Sequence, residues 1–214
     1  MKKNLTEIVA IIDASGSMAP FVNDTIGGFN KFLEEQKTLD GEANITLIAF
    51  DSDNPHNVIF NGINIKNCKG LNDTLYRAGS WTPLYDAIGH TINSVGTRLA
   101  SIPESDRPSK VLFLISTDGE ENASKEFSQE QIKNMIEHQK SNYNWEFVFT
   151  AANIDTKKYS NAMGISGSSA ASYNQMNTRA LYTDTFGNAA TSFRTTGVVS
   201  LNSQNTVDNN SNVS

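Results

Sequence analysis

Three short segments of this 214-residue chain carry oxygen donors at spacings that suit a hard metal ion. They are Asp13-Ala14-Ser15-Gly16-Ser17, Ser80-Trp81-Thr82-Pro83 and Ser116-Thr117-Asp118-Gly119. Each falls directly after a strand-like run or just before a helix-like one. In the first, Asp13 emerges at a strand end, Ser15 and Ser17 can point into the following turn, and Gly16 allows the tight backbone path between them. Brought together, Asp13, Ser15, Ser17, Thr82 and Asp118 offer two carboxylates and three hydroxyls. That is a donor set for Mg²⁺ or Mn²⁺, with oxygens at about 2.0–2.1 Å from magnesium. Two carboxylates roughly neutralise a divalent ion, hydroxyls and water fill the shell, and an open position accepts one further anionic oxygen.

For these segments to meet, their strands must lie side by side. Ile8 to Ile12 is a nearly unbroken apolar, β-branched run, the mark of a strand buried on both faces. Val22, Ile26, Phe29 and Leu33 follow at helical spacing, which predicts a helix over 20–37 with Pro20 at its first turn. The Gly27-Gly28 pair in that helix is read as a close helix contact. Residues 44–50 and 57–65 read as two strands joined by the turn-rich DSDNPH, an antiparallel hairpin with 57–65 at the edge. Leu84 to Leu99 marks a long helix, 111–115 a fully apolar strand, 132–139 a helix and 145–150 a strand. A short helix over 155–163, a weak strand over 168–173 and a last helix from Met176 to Phe193, broken near Gly187, complete the chain. This order predicts an α/β, doubly wound, mostly parallel six-stranded sheet with one antiparallel edge strand. Ligands of such sheets gather at the carboxyl ends of the strands where the strand order reverses. If the first and fourth strands are neighbours, the three segments converge there.

Composition narrows the function classes. A net charge of −6 gives no basic footprint for nucleic-acid phosphates or anionic lipid. No run approaches the roughly 20 apolar residues of a membrane span. Met1 to Glu7 lacks the apolar core and cleavage site of a signal peptide, so a cytoplasmic location is expected, or a virion component if the chain is phage-encoded. The single cysteine, Cys68, cannot form an internal disulfide, and it reads as an ordinary thiol beside lysines. Residues 1–197 are expected to form one domain. From Val198 onward the chain has five Asn and no Lys or Arg, and 198–214 reads as a disordered polar tail.

Asp13-x-Ser-x-Ser after the first strand, Thr82 before a mid-chain helix and Thr117-Asp118-Gly119 after the fourth strand resemble the von Willebrand factor type A (vWA) domain family. DTIGGFNKFLEEQK, TPLYDAIGHTI and VLFLISTDGEEN are similar to stand-alone bacterial and phage members, and the resemblance covers about residues 5–195. It implies a Rossmann-like fold and a metal-ion-dependent adhesion site (MIDAS) made of Asp13, Ser15, Ser17, Thr82 and Asp118. In that family the fourth-strand Asp often acts through water, and Thr82 would exchange direct for water-mediated contact when a ligand arrives. The resemblance further implies a non-enzymatic module whose ion bridges to an Asp or Glu carboxylate of a protein partner. That partner could be an AAA+ ATPase, a stress-response module or a surface protein. Affinity would be switched by a shift of the last helix. Trp81, unusual beside the threonine, would shape the rim.

Other readings use the same residues. Asp13, Ser15 and Ser17 could simply cap a strand-to-helix turn, and Thr82 could cap the following helix, with Asp86 in a structural part and Glu120 and Glu121 as rim charges. An idle site on a scaffold domain is a further alternative. A haloacid-dehalogenase-like, Mg²⁺-dependent phosphatase would use Asp13 as nucleophile and Lys110 to steady phosphate. It would also want an acid two residues after the nucleophile, where this chain has Ser15. His56, His90 and His138 are scattered, so a Ser-His-Asp triad is not supported.

Overall fold

The computed structural model describes residues 1–202. Its strands are β1 (Lys2–Asp13), β2 (Glu42–Phe50), β3 (Asn57–Asn64), β4 (Pro108–Thr117), β5 (Glu146–Ala151) and β6 (Ala170–Ser172). They form one sheet in the order β3-β2-β1-β4-β5-β6, with only the β2–β3 pair antiparallel. The doubly wound sheet with one antiparallel edge strand is therefore observed. Strand order reverses between β1 and β4, where Ile12 pairs with Ser116 and sets Asp13 beside the end of β4.

The helices are α1 (Val22–Thr38), α2 (Leu84–Ala100), α3 (Gln129–Tyr143), α4 (Thr156–Ala162), α5 (Thr178–Ala180) and α6 (Gly187–Thr196). Because side chains alternate along a strand, β1 feeds two cores. Ile8, Ala10 and Ile12 pack with Phe29, Phe32 and Leu33 of α1 and with Ala189, Ala190 and Phe193 of α6. Val9 and Ile11 pack with Ile88, Ile92 and Val95 of α2 and with Ile132 and Ile136 of α3. α3 begins with a capping box, Gln131 N donating to Ser128 Oγ and Ser128 N to Gln131 Oε1.

Several boundaries differ from the sequence expectation. Pro20 does not open α1. It lies inside a 3₁₀ turn, Gly16–Phe21, that follows the Ser15 turn directly, with Met18 N donating to Ser15 O. The chain is not broken at Gly187, whose φ of −58° is helical. The irregularity comes just before it, as a π-helical turn over Leu181–Phe186. A π turn packs extra residues into each rotation, and here Tyr182 and Phe186 both face α1. Their rings lie 6.2 Å from Phe29 and 6.4 Å from Phe32, respectively. At Gly28 a Cβ would come within 2.9 Å of the Tyr182 ring and 3.1 Å of the Arg179 backbone, so α1 and α5 approach closely there. At Gly27 the nearest atom is 3.8 Å away, an ordinary contact.

Val199 and Leu201 pack against the α1/α6 core, and Ser200 N donates to Ser192 Oγ. The rest of the polar stretch expected as a tail, 203–214, lies outside the described residues. Among the described residues, no helix is long and apolar enough to cross a membrane.

Candidate metal centre

The carboxyl edge of β1 and β4 brings four of the five sequence-selected residues into one bonded cluster. Ser15 N donates to Asp13 Oδ1 at 2.7 Å. The Ser15 and Ser17 hydroxyls lie 3.1 Å apart, and Ser17 Oγ donates to Asp118 Oδ1 at 2.9 Å. Asp13, Ser15 and Asp118 are each buried to within 2% of full enclosure. The other oxygen of Asp13 accepts from Thr117 Oγ1 at 2.8 Å and from Asp118 N at 3.4 Å.

Thr82 makes no hydrogen bond to the other four among the described residues; the loop that carries it is tied to them through its backbone. Gly16 N donates to Ser80 O at 2.8 Å and Gly79 N to Ala14 O at 2.6 Å, so loop 79–82 lies flat on the Ser15 turn. Thr82 is buried, its amide is held by Asn122 Oδ1 at 2.9 Å, and among the described residues its hydroxyl makes no hydrogen bond. It therefore does not cap α2, and Asp86 does not cap that helix either. The buried Asp86 carboxylate instead accepts from the amides of Lys125, Glu126 and Phe127, fixing the loop before α3. Glu121 is no loose rim charge. Its carboxylate accepts from Tyr85 N at the start of α2, and from Ala123 N, Ser124 N and Ser124 Oγ.

The electrostatics of this edge fit a cation. Two carboxylates are buried against each other, and among the described residues neither forms an ion pair with Lys, Arg or His. Burial, helped by the neighbouring Asp118 charge, pushes the Asp13 carboxyl up to about 6 against the lowering bonds from Ser15 and Thr117. A positive ion relieves both penalties at once. The donors are hard oxygens. Among the described residues, no three His, Cys, Asp or Glu side chains come together as a cluster, so hydroxyls supply the rest of the donor set.

Sequence reading did not identify three contributors. Thr117 was noted only as part of its segment. Tyr76 OH donates to Asp13 O at 2.5 Å, so a residue from the long loop before α2 fixes the strand end. Gln175 Nε2 donates to Asp118 Oδ2 at 2.8 Å across 57 residues of sequence. Tyr76 and Gln175 have no local sequence signal, because each contact is set by tertiary packing. Cys68 stays a bystander: it is buried, and burial raises its thiol above the usual range.

Gly79 tests how far loop 79–82 matters. A Cβ there would collide with the Asp51 carboxylate, which holds the turn amides of Asp53 and Asn54 at 2.9 and 2.8 Å. Gly79→Ala is expected to lift the loop from the Ser15 turn. It should cost about 1–3 kcal/mol of stability and weaken divalent-cation binding about tenfold, read by urea unfolding and titration calorimetry. An unchanged cation affinity would remove loop 79–82 from the centre.

No family model matches the chain, and no curated protein matches it. Solved structures do share the fold. Proximal thread matrix protein 1 from the mussel byssus, in a structure whose MIDAS motif is occupied by zinc, superposes with a TM-score of 0.57 at 12% identity, over 84% of this chain and 46% of that one. The pilus adhesin SpaC from Lactobacillus rhamnosus GG superposes with a TM-score of 0.64 at 13% identity, over 87% of this chain and 30% of that one. The chain thus spans less than half the length of either protein. At these identities the likeness establishes the fold.

Proposed function

We propose that this chain is a non-enzymatic, divalent-cation-dependent protein-binding module of the vWA type. In this reading Asp13, Ser15, Ser17, Thr82 and Asp118 hold one Mg²⁺ or Mn²⁺. When bound, the ion offers an open coordination position to an Asp or Glu carboxylate of a protein partner. The observation that carries the reading is the buried Asp13–Asp118 pair at a strand-order reversal, surrounded by hydroxyls and, among the described residues, without a cationic partner. The zinc-occupied MIDAS of a protein with the same fold, and an adhesin among the neighbours, support it. Those neighbours come from a byssal thread and a pilus, so a surface setting fits as well as the cytoplasm expected from the sequence.

The phosphatase alternative loses support. Lys110, its phosphate-steadying residue, lies eight residues before Asp118 near the opposite end of β4, roughly 26 Å away at the strand rise. Its ammonium instead donates to the Arg194 carbonyl at 2.7 Å. Ser15 is not an acid able to protonate a leaving group at neutral pH.

The test is retention of a protein from host lysate on immobilised wild-type chain in Mg²⁺, on wild type in EDTA, and on Ser17→Ala in Mg²⁺. A partner held only in the first arm is expected, with no hydrolysis of a generic aryl phosphate. Equal retention in all three arms, or Mg²⁺-dependent phosphate release, would overturn the reading.

A further inference from the structure

Three of the seven large hydrophobic side chains exposed among the described residues sit on the edge that carries the metal centre. Trp81, 66% exposed, lies between Ser80, which accepts from Gly16, and Thr82. Met176, 77% exposed, follows Gln175, which holds Asp118. Leu75 precedes Tyr76, which holds the Asp13 carbonyl. The three come from separate loops, yet each is one residue from a group bonded to the centre.

Their backbones are fixed. Trp81 N donates to Ser52 Oγ at 3.2 Å, Met176 N to Asn174 Oδ1 at 3.0 Å, and Leu75 N to Asn72 Oδ1 at 3.0 Å. Because the backbone under these side chains is already fixed, contact at this border does not also have to order the loops, which lowers the cost of binding there. Tryptophan is among the residues most enriched at binding hot spots.

We infer that this edge docks a protein segment presenting one carboxylate flanked on both sides by apolar side chains, with Trp81, Met176 and Leu75 gripping the flanks. The inference rests on the proposed cation site, which would take the carboxylate. A bare carboxylate would leave the three apolar side chains in water. A second acidic residue is disfavoured by the exposed Glu120, two positions past Asp118. An anionic membrane is a poor occupant for a chain of net charge −6.

The test uses three capped peptides, Gly-Leu-Glu-Phe-Gly, Gly-Gly-Glu-Gly-Gly and Gly-Leu-Gln-Phe-Gly, titrated in Mg²⁺. Trp81 serves as reporter, since the second of the two tryptophans, Trp145, is buried. The apolar-flanked Glu peptide is expected to bind at least about tenfold more tightly than the Gly-flanked one, and the Gln peptide to lose the metal-dependent part. Met176→Ser, read by Trp81 fluorescence, and Trp81→Ser, read by calorimetry, should each erase most of that preference. Mn²⁺ affinity, measured separately, should stay within about twofold, because neither side chain is a ligand. Equal affinity for the two Glu peptides in cation-loaded protein, or a preference that survives both substitutions, overturns the inference and leaves the cation site standing. Absence of Mn²⁺ binding by the folded wild type overturns both. Binding to anionic vesicles in preference to all three peptides would replace the protein occupant with a membrane.

Discussion

Asp13→Asn is expected to stabilise the metal-free protein at pH 7 while abolishing measurable divalent-cation binding. The Asp13 carboxyl is raised from 3.8 to about 6 because it is buried and faces Asp118. A carboxyl whose folded value lies above its unfolded value takes up a proton on folding. Its stabilising contribution is complete below about pH 4 and is lost as the pH rises through about 6. At pH 7 the ionised group therefore works against the metal-free fold by roughly 2–3 kcal/mol. The amide keeps the acceptor for Ser15 N and has hydrogen-bonding capacity toward Thr117 Oγ1, yet carries no charge. Melting of metal-free wild type should fall by about 3–5 °C between pH 5 and pH 7, and melting of the variant should stay nearly level. Mg²⁺ should raise the wild-type midpoint by mass action and leave the variant where it is. A variant that melts lower than wild type at pH 7, or that still binds the cation, would contradict the placement of the ion at Asp13.

Arg98→Met carries the largest expected loss of stability. Glu7 is fully buried in the central strand, where a hydrophobic residue is the norm. Its Oε1 accepts from Arg98 Nη2 at 2.6 Å and from Thr46 Oγ1 at 2.8 Å. Thr46 Oγ1 in turn accepts from Gly62 N at 2.9 Å. Gly62, with φ of +62°, is where a Cβ would run into the Arg98 guanidinium, so the edge strand makes room for the ion pair with a glycine. Removing Arg98 strands a buried carboxylate, at a cost of about 3–5 kcal/mol. Glu7→Leu combined with Arg98→Met should recover most of it, because an apolar pair of similar volume has no charge to desolvate. Urea midpoints at unchanged m-value measure both effects. A loss below about 1 kcal/mol for the single variant would mean that Glu7 is satisfied elsewhere.

The fold was legible where burial writes itself into composition. Ile8 to Ile12 and Val111 to Ile115 are apolar on both faces because both faces are covered, and they became the neighbouring central strands. The hairpin at 51–56 was legible because its polar turn residues separate two apolar runs. Asp13, Ser15, Ser17 and Asp118 could be picked out because acids and hydroxyls directly after apolar strand runs stand out in the sequence, and the structure bonds them together. Contacts made by packing alone were not legible. Gln175 reaches Asp118 from a short 3₁₀ turn whose sequence carries no periodicity. The π turn at 181–186 has the same spacing of apolar residues as a regular helix. Only the partner rings on α1 explain its extra width. Glu121 reads as a rim charge, and the structural part of Asp86 reads at the helix start rather than on the loop before α3, because a carboxylate that collects backbone amides looks no different in sequence from one that collects water.

The position of β1 between β2 and β4 also sets a timetable. When the first 50 residues have left the ribosome, β1 and β2 can pair, but the other edge of β1 stays open until β4 has been made, more than 50 residues later. That open edge is an Ile- and Val-rich strand with unpaired amides, the kind of surface that recruits other chains. Asp13 meets Asp118 only when the gap closes, and Gln175 is added later still. The oxygen cluster thus forms only after β4 has been made, and a chain arrested before residue 118 exposes a sticky strand without it. Co-translational chaperone dependence should accordingly peak while residues 51–117 are being added and fall once β4 has docked.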